Sequence, residues 1–306
     1  MFETLFERRG LSLDRLRAFV AVADAGGIAR AAPRDPVRQS QLSRQISELE
    51  EYFGHALIRR AGRSVELTEL GQRLAGVVRS TFGGLLDVAR EGDASPIQFT
   101  VGGGDSLMHW WVIPRLGRAL GRVPRASVSL VALSTPDVVT RLEDGRLDFG
   151  LVRGRPASSV LSMRPLGKLA YALFVPRKLR GPRPATLETA RSLPIALQHG
   201  EPDQGERTLR VGLGGHPRSI LECETFPQVC RAVQTGGYVG LLPTIARDDL
   251  HDCDELRVPG ALRMSASVHL ACHPRTEKTR AYGRQLAEAL ADELARPKRE
   301  KPLRRT

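Results

Sequence analysis

The spacing of apolar residues changes at about residue 97, and this change constrains how the chain can fold. Before residue 97, apolar side chains recur at every third or fourth position, which is the period of helices that bury one face. After residue 97, short runs of β-forming residues alternate with helical stretches, a pattern that predicts a parallel α/β sheet. The length of 306 residues favours two or three compact units. We therefore expect a helical N-terminal part and a larger α/β part.

The first 70 residues have the outline of a winged helix-turn-helix. Ser12 is a good N-cap for a first helix, which two glycines at residues 26 and 27 would end. A second short helix begins at Ile28, and a third carries an apolar stripe over residues 42–53. Two short strands joined by a turn at residues 60–63 would form the wing.

A long helix should follow, with Thr68 as its cap and an end near Arg90. Gly83 and Gly84 weaken it by about 1 kcal/mol each relative to alanine. An exposed helix between domains needs a partner for its apolar stripe, and self-association is the simplest partner. The stripe consists of Leu70, Leu74, Val77, Val78, Thr81, Leu85, Val88 and Ala89.

The charge of the chain favours a polyanionic partner without proving one. Lys+Arg number 46 against 34 Asp+Glu, a formal net charge of +12. Only five of the 46 basic residues are lysine, a bias that a GC-rich genome also produces. On the third helix, Ser40, Ser43, Arg44 and Ser47 share the face opposite the apolar stripe. Arginine can bridge O6 and N7 of guanine, but a solvated polar face would show the same period, so both interpretations stay open.

Other classes of protein have less support. The first ten residues carry four charges and no apolar stretch, and no run of 18 uncharged apolar residues occurs, so we expect no secretory signal, no membrane span and a cytoplasmic location. The four cysteines form no CxxC pair, which predicts reduced thiols, with a redox-sensing Cys223–Cys230 pair as the alternative. His269, Cys272 and His273 lack a fourth ligand at a suitable spacing, so we expect no metal site and no cofactor.

Several motifs follow one another between residues 11 and 71, namely LRAFVAVA (16–23), RAA (30–32), QSQLSRQI (39–46), LE (49–50), FG (53–54), LIRR (57–60) and LTELG (67–71). They resemble, in register, the DNA-binding domain of LysR-type transcriptional regulators, and the linkage of several motifs makes the resemblance specific. Looser matches follow in the same order, at VIPRL (112–116), LEDGRLD (142–148) and GGYVGLLP (236–243). This later part resembles the effector-binding half of that family.

The resemblance implies which residues contact double-stranded DNA. In a helix-turn-helix, the second helix reads the major groove from its N-terminal end, where free backbone N–H groups also attract phosphate. We expect Gln39 and Ser40 at that end. The contacts implied by position are Gln39, Ser40, Ser43 and Arg44 in the helix, with Arg60 and Arg63 in or beside the wing.

The chain departs from the family pattern just before this helix. Pro33, Asp35 and Pro36 fall where the second helix usually finishes, and Asp35 takes the place of an apolar core residue. A proline inside a helix costs about 3 kcal/mol. We therefore predict a shortened second helix and a longer turn. Arg38 replaces a common serine cap, and Ser40 replaces a common proline.

The resemblance implies a periplasmic-binding-protein-like effector domain, with two α/β subdomains around a cleft and two crossover strands. Ligands of such sheets bind beyond the C-terminal ends of strands. Serine hydroxyls, helix N-termini and Arg153 favour a carboxylate effector. Asp105 opposes an anion, and either caps its helix or binds an amine of the effector. The candidate contacts are Gly104, Asp105, Ser106, Ser134, Thr135, Arg153 and Thr225.

The expected fold class is α/β, with an N-terminal winged helix-turn-helix, a long linker helix and a two-subdomain periplasmic-binding-protein-like effector domain. We place the DNA-binding domain at residues 11–68, the linker and dimerisation helix at 69–92, the effector domain at 93–296 and a basic disordered tail at 297–306. Subdomain I would comprise residues 97–163 and 265–295, and subdomain II residues 164–264.

The expected function is a sequence-specific transcription regulator that responds to a small-molecule effector. The expected assembly is a homodimer or homotetramer, with RNA polymerase as a further candidate partner. An enzyme is the competing class, but no GxSxG, HExxH or Walker motif occurs, so we expect no catalytic residues. A solute-binding module is a third interpretation, which the N-terminal motifs oppose.

Overall fold

The N-terminal domain is a small helical unit with a two-stranded hairpin. The computed structural model describes residues 3–7, 9–61, 64–92, 95–199, 220–258 and 265–296. Ser12 accepts a hydrogen bond from the backbone N–H of Arg15, which confirms it as the cap of the first long helix. Phe19, Leu49 and Leu57 are fully buried in the domain core. The elements are α1 Glu3–Phe6, α2 Leu13–Ala25, α3 Ile28–Ala31, α4 Pro36–Phe53, β1 Ile58–Ala61 and β2 Ser64–Leu67.

The turn before α4 is built differently from the family pattern. The second helix, α3, is only four residues long, so the prediction of a shortened helix is confirmed. Asp35 is exposed and caps α4, because its Oδ1 accepts a hydrogen bond of 2.9 Å from the backbone N–H of Arg38. Pro36 occupies the first turn of the helix, where its missing N–H is harmless. The helix therefore begins at Pro36, whereas we expected its N-terminus near Gln39.

The linker helix, α5 Glu69–Ala89, follows directly. Thr68 is confirmed as its cap, since its Oγ1 accepts from the backbone N–H of Gly71. The residues of the predicted apolar stripe divide into two groups. Leu70 and Leu74 pack on the core of the DNA-binding domain and Val78 is buried, while Val77, Leu85 and Val88 face solvent. The exposed apolar residues of α5 are Val77, Leu85, Leu86 and Val88.

The C-terminal part of α5 lies against the effector half of the same chain. A Cβ atom on Gly84 would be 2.7 Å from the carbonyl oxygen of Thr279, so only glycine permits this approach. Asp87 is buried, and its Oδ2 accepts hydrogen bonds from Nε of Arg280 at 2.7 Å and from the N–H of Ala281 at 3.1 Å. The small side chain at position 84 therefore serves packing, although it weakens the helix.

Two five-stranded sheets form the effector half within the described residues. Their strands are β3 Ile97–Gly103, β4 Ala126–Ala132, β5 Phe149–Arg153, β6 Ser162–Leu169, β7 Tyr171–Pro176, β8 Ile195–Gln198, β9 Ile220–Cys223, β10 Val239–Pro243, β11 Cys253–Leu256 and β12 Ala266–Cys272. The orders are β4-β3-β5-β12-β6 and β11-β7-β10-β8-β9.

The predicted parallel pairing is confirmed for β3, β4 and β5, but both sheets also contain antiparallel strands. Parallel pairing joins β3 to β4 and β5, and β8 to β9 and β10. The strands β6, β7, β11 and β12 pair in antiparallel fashion. The cause is the path of the chain, which leaves the first sheet after β6 and returns to it at β12. Because β6 pairs with β12, the first sheet continues to Leu169 and does not end at residue 163.

Helices and short helical segments connect the strands of the two sheets. They are α6 Asp105–Leu107, a π-helical segment Met108–Val112, α7 Ile113–Gly121, α8 Thr135–Glu143, α9 Arg177–Arg180, α10 Leu187–Arg191, α11 Phe226–Gln234, a 3-10 helix Thr244–Asp249, α12 Pro274–Thr279 and α13 Gly283–Ala295. In the described ranges, no helix combines the length and apolar character that crossing a membrane requires. The basic tail predicted at residues 297–306 lies outside the described residues.

Candidate nucleic-acid interface and effector cleft

The outer face of α4 is polar and exposed. Leu42 and Ile46 are buried against α2. Their burial turns Ser40, Ser43 and Arg44 towards solvent. Small hydroxyl side chains allow a helix to approach a groove closely, and a guanidinium can bridge two acceptors on guanine. These three residues make this face the candidate DNA interface.

Gln39 is placed differently from what we expected. Its backbone N–H donates to the carbonyl of Asp35 at 3.0 Å, because α4 begins earlier in the chain. Its side-chain Nε2 donates to the carbonyl of Ala32 at 2.8 Å. The expectation of a free N–H group at Gln39 for a phosphate is therefore wrong. Gln39 holds the turn between α3 and α4 in place.

Arg44 is held by an ion pair that the sequence motifs did not indicate. Its Nε lies 2.9 Å from Oε1 of Glu48. Arg15 on α2 donates to the other carboxylate oxygen at 2.6 Å. The hydrogen bonds from Arg15 and then from Arg44 lower the pKa of Glu48. Arg44 and Glu48 are four residues apart on one helix, a spacing that predicts such a pair, whereas nothing local predicts the contact with Arg15.

The ion pair leaves the end of the Arg44 side chain available. The side chain is 83 % exposed, and its two Nη atoms have no hydrogen-bond partner in the described part of the chain. Glu48 restrains the guanidinium through Nε alone. The arrangement therefore presents an oriented donor pair at the surface of α4.

The wing is a short antiparallel hairpin beside these helices. Arg60 lies in β1, where its backbone pairs with Val65, so the strand extends into the residues where we expected only a turn. The N–H of Val65 donates to the carbonyl of Gly26, which ties the wing to the end of α2. Arg63 lies outside the described residues.

The candidate effector residues of the first sheet lie where two neighbouring parallel strands end. Gly104 and Asp105 follow β3, and Arg153 is the last residue of β5. Ser106 is buried. The helix begins at Asp105, so Gly104 is its N-cap and the prediction of Asp105 as a cap is not met. Burial raises the pKa of the Asp105 carboxyl, while the N–H groups of Ser106 and Phe226 act in the opposite direction.

Three of the predicted effector residues cap or support helices. Ser134 caps α8, accepting from the N–H of Asp137 and donating to Oδ2 of Asp137 at 2.6 Å. Thr225 caps α11 in a capping box with Gln228. Thr135 is the first residue of α8, and its Oγ1 lies 3.5 Å from the backbone nitrogen of Arg153. Of these three, Thr135 is the one in contact with the charged loop of β5.

The structure adds Tyr171 to the predicted site. Nη1 of Arg153 donates to the Tyr171 hydroxyl at 2.9 Å, which joins the end of β5 in the first sheet to the start of β7 in the second. Burial raises the pKa of Tyr171, and Arg153 opposes that shift. Asp105, Arg153, Tyr171 and the start of α11 thus meet between the two subdomains. No sequence spacing indicates this meeting, since the residues belong to different sheets.

The tryptophans on the first helical stretch are structural. Both are buried. Nε1 of Trp110 donates to Oδ2 of Asp249 at 2.7 Å, a second link between the subdomains, and Nε1 of Trp111 donates to the carbonyl of Leu294 at 2.8 Å. Both indole rings are therefore held by packing and by hydrogen bonds within the protein.

The described residues contain no group of three or more His, Cys, Asp or Glu side chains that could hold a metal ion.

The structure argues against a redox pair of cysteines. Cys223 and Cys230 are free thiols, and burial raises the pKa of both, for Cys230 to about 12. The thiolate is the reactive form, so a raised pKa disfavours thiol chemistry, most strongly at the buried Cys230.

Comparisons with known proteins agree with this architecture. Residues 13–72 match the family model described as "Bacterial regulatory helix-turn-helix protein, lysR family", and residues 97–295 match "LysR substrate binding domain". The HTH-type transcriptional regulator TcbR of Pseudomonas sp. (strain P51) is 27% identical over 281 residues, which cover 86% of this chain and 92% of that protein. DgdR of Burkholderia cepacia, another HTH-type regulator, is 32% identical over 148 residues, which cover 47% of this chain and 50% of DgdR.

The fold is also that of solved proteins. The crystal structure of ArgP from Mycobacterium tuberculosis superposes with a TM-score of 0.69 at 18% identity, covering 93% of this chain and 97% of ArgP. At that identity the likeness establishes the fold alone. The helix-turn-helix, the linker helix and the two-sheet effector half, together with a family match over most of the sequence, show that the chain belongs to the LysR family of DNA-binding transcription regulators with a C-terminal effector-binding domain.

Proposed function

We propose that this protein reads a specific DNA sequence with the outer face of α4 and that a small molecule in the cleft regulates this binding. The observation that carries the proposal is Arg44, whose free Nη groups project from the same face as Ser40 and Ser43. Gln39 would support this face rather than lead the contact. Arg60 and Arg63 of the wing would add phosphate or minor-groove contacts.

The effector would bind where the predicted residues of the two subdomains approach each other. Gly104, Asp105 and Ser106 would contribute from the end of β3, and Thr135 and Arg153 from the neighbouring loops. Ser134 and Thr225 would act by holding the helix N-termini that border the cleft. Binding would shift the equilibrium between arrangements of the subdomains, as any ligand does that prefers one state.

The protein would act as an oligomer and not as an enzyme. The exposed apolar residues Val77, Leu85 and Val88 on α5 offer a face that a second copy could cover, which would give a homodimer or homotetramer. Two-fold symmetry would match two DNA half-sites. We also propose that it works by binding alone, in the cytoplasm where its DNA lies, with RNA polymerase as a further partner.

The test is binding of the full chain to the DNA upstream of its own gene and of the divergent neighbouring gene, measured by fluorescence anisotropy. Arg44→Ala should weaken specific binding about 10- to 100-fold, the effect of about 1–3 kcal/mol for one bidentate base contact, with little change on unrelated DNA. Arg122→Ala, which removes an exposed arginine from the effector half, is the matched control. Equal specific affinity of Arg44→Ala and the control would refute the assignment.

A further inference from the structure

Where the subdomains meet, three polar side chains have donor or acceptor atoms that form no hydrogen bond with the described residues. Oδ2 of Asp105 is buried and has no hydrogen-bond partner among the described residues. Nη1 of Arg153 donates to the Tyr171 hydroxyl, while Nε and Nη2 of Arg153 donate to no described residue. The Tyr171 hydroxyl accepts that bond, and its own proton meets no acceptor in the described ranges. The site therefore offers one negative acceptor and two kinds of donor.

Asp105 and Arg153 carry opposite charges but do not pair with each other. Arg153 acts on the Asp105 carboxyl electrostatically, but the two side chains form no ion pair. A buried carboxylate oxygen without a donor is unfavourable, because it has lost its hydration. A molecule seated between the two groups would correct this only if it gives a donor to Asp105 and an acceptor to Arg153.

We propose that the effector is a small amino carboxylate, such as a free amino acid, whose ammonium group binds Asp105 and whose carboxylate binds Arg153 and Tyr171. The proposal rests on the proposed function, since it specifies the ligand of that cleft. It resolves the conflict between the cationic and anionic residues of the site. A simple carboxylate would leave Oδ2 of Asp105 without a donor and would be repelled by it, and a simple amine would leave the donors of Arg153 and Tyr171 unused.

The same contacts explain how such a ligand would regulate the protein. Asp105 and Arg153 belong to the first subdomain, while Tyr171 begins the first strand of the second sheet. A ligand that touches all three side chains would favour the arrangement in which the subdomains are closed. Neither half of the zwitterion alone could hold both charged residues of the first subdomain.

Isothermal titration calorimetry of the full chain against the twenty common L-amino acids tests the proposal. Each amino acid that binds is compared with its α-hydroxy acid, which lacks the amine, and with its decarboxylated amine. We expect at least one amino acid to bind, and both analogues to bind at least tenfold more weakly. The proposal is overturned if no amino acid binds, or if the α-hydroxy acid binds as tightly.

Two variants separate the roles of the charges. Asp105→Asn should weaken amino-acid binding at least tenfold and leave the weak binding of the hydroxy acid unchanged. Arg153→Gln should weaken amino-acid binding at least tenfold and leave amine binding unchanged. Asp292→Asn, which changes an exposed carboxylate of α13 paired with Arg122, should bind as the parent does. Unchanged or tighter amino-acid binding by Asp105→Asn would overturn the proposal.

Two further measurements separate the loss of a ligand contact from the loss of the fold or of DNA binding. Asp105→Asn should melt at about the temperature of the parent, since its amide oxygen can still accept from the N–H groups of Ser106 and Phe226, so lost binding would not reflect unfolding. Ligand-free binding of the upstream DNA tests the proposed function independently. Intact DNA binding with no amino-acid binding would overturn the inference and leave the proposed function standing.

Discussion

At the scale of single residues, burial decides which side chains can react. Cys230 on α11 and Cys272 on β12 are buried, and burial is the main cause that raises the pKa of each thiol to about 12. Cys223 is only half-buried. Near neutral pH the two buried thiols are protonated and shielded, so they are poor nucleophiles.

Brief treatment of the native protein with iodoacetamide at pH 8 should therefore modify Cys223 well before Cys230 or Cys272. Peptide mass spectrometry measures the order. Protein unfolded in urea is the control, where all three cysteines should react at similar rates. Native Cys230 reacting as fast as unfolded Cys230 would contradict the burial argument.

The protonation of His273 makes the free energy of unfolding depend on pH. Its Nδ1 accepts a hydrogen bond of 3.1 Å from the N–H of Arg275 at the start of α12, and burial lowers its pKa to about 4. An unfolded histidine has a pKa of about 6.5. Between these values the unfolded chain binds the extra proton, so stability is lost as pH falls through this window.

His273→Asn keeps a capping side chain but removes the titration. We expect the urea midpoint of the parent to fall between pH 6.5 and 4.5 by more than that of His273→Asn. His55→Asn, at an exposed histidine, should follow the parent curve. If the urea midpoints of the parent and of His273→Asn fell in parallel with pH, protonation of His273 would not contribute to the pH dependence of stability.

At the scale of the element, α5 is shaped by its close approach to α12. Intrinsic propensity disfavours Gly83 and Gly84 in a helix. Gly84 nevertheless allows the backbone of α5 to lie beside the carbonyl of Thr279. A backbone oxygen cannot swing aside as a flexible side chain can, so the contact requires the absence of a Cβ atom.

Gly84→Ala should therefore destabilise the protein by about 1–3 kcal/mol, as overpacking does. Gly117→Ala in α7 is the matched control, because nothing lies within 4 Å of its added Cβ. That control should be neutral or stabilising by up to about 1 kcal/mol. Thermal melting followed by circular dichroism distinguishes them, and equal gains in both variants would mean that the contact has no energetic weight.

At the scale of the whole molecule, one side chain joins the DNA-binding domain to the effector half. Nη2 of Arg79 on α5 lies 2.7 Å from Oδ1 of Asp24 at the end of α2. Nη1 of Arg79 donates to the backbone carbonyl of Asp144, which is buried after α8. One guanidinium of the linker helix thereby contacts both parts, in addition to the contacts of Leu74 with the DNA-binding domain and of Asp87 with the effector half.

Arg79→Ala should accelerate hydrogen–deuterium exchange several-fold at the end of α2 and in the turn around Asp144, because both lose a shared donor. Arg73→Ala removes an exposed arginine from the same helix and should leave both regions unchanged. Mass spectrometry of peptides from the two regions provides the measurement. Equal exchange in the two variants would show that the link does not hold the domains.

Features that depend on neighbouring residues could be derived from the sequence. Contacts within one turn or one strand determine the helix periods, the caps Ser12 and Thr68 and the short α3. They also determine where most strands occur along the chain. The polar and apolar faces of α4 follow from a similarly local period, so they could be predicted. The start of α4 was misplaced, because the capping role of Asp35 competes with its position in the family pattern.

Only the tertiary structure decided what the distant segments do to one another. The return of the chain at β12 made the first sheet mixed. The packing of α5 on the DNA-binding domain buried one part of its apolar stripe and left the rest exposed. The approach of the two subdomains brought Tyr171 to Arg153. Each of these depends on packing between residues far apart in the chain, which hydrophobic period and local hydrogen bonding do not encode. The sequence by itself determined the class of protein and its helix-turn-helix, whereas the proposed chemistry of the cleft depends on which polar atoms long-range packing leaves without a partner.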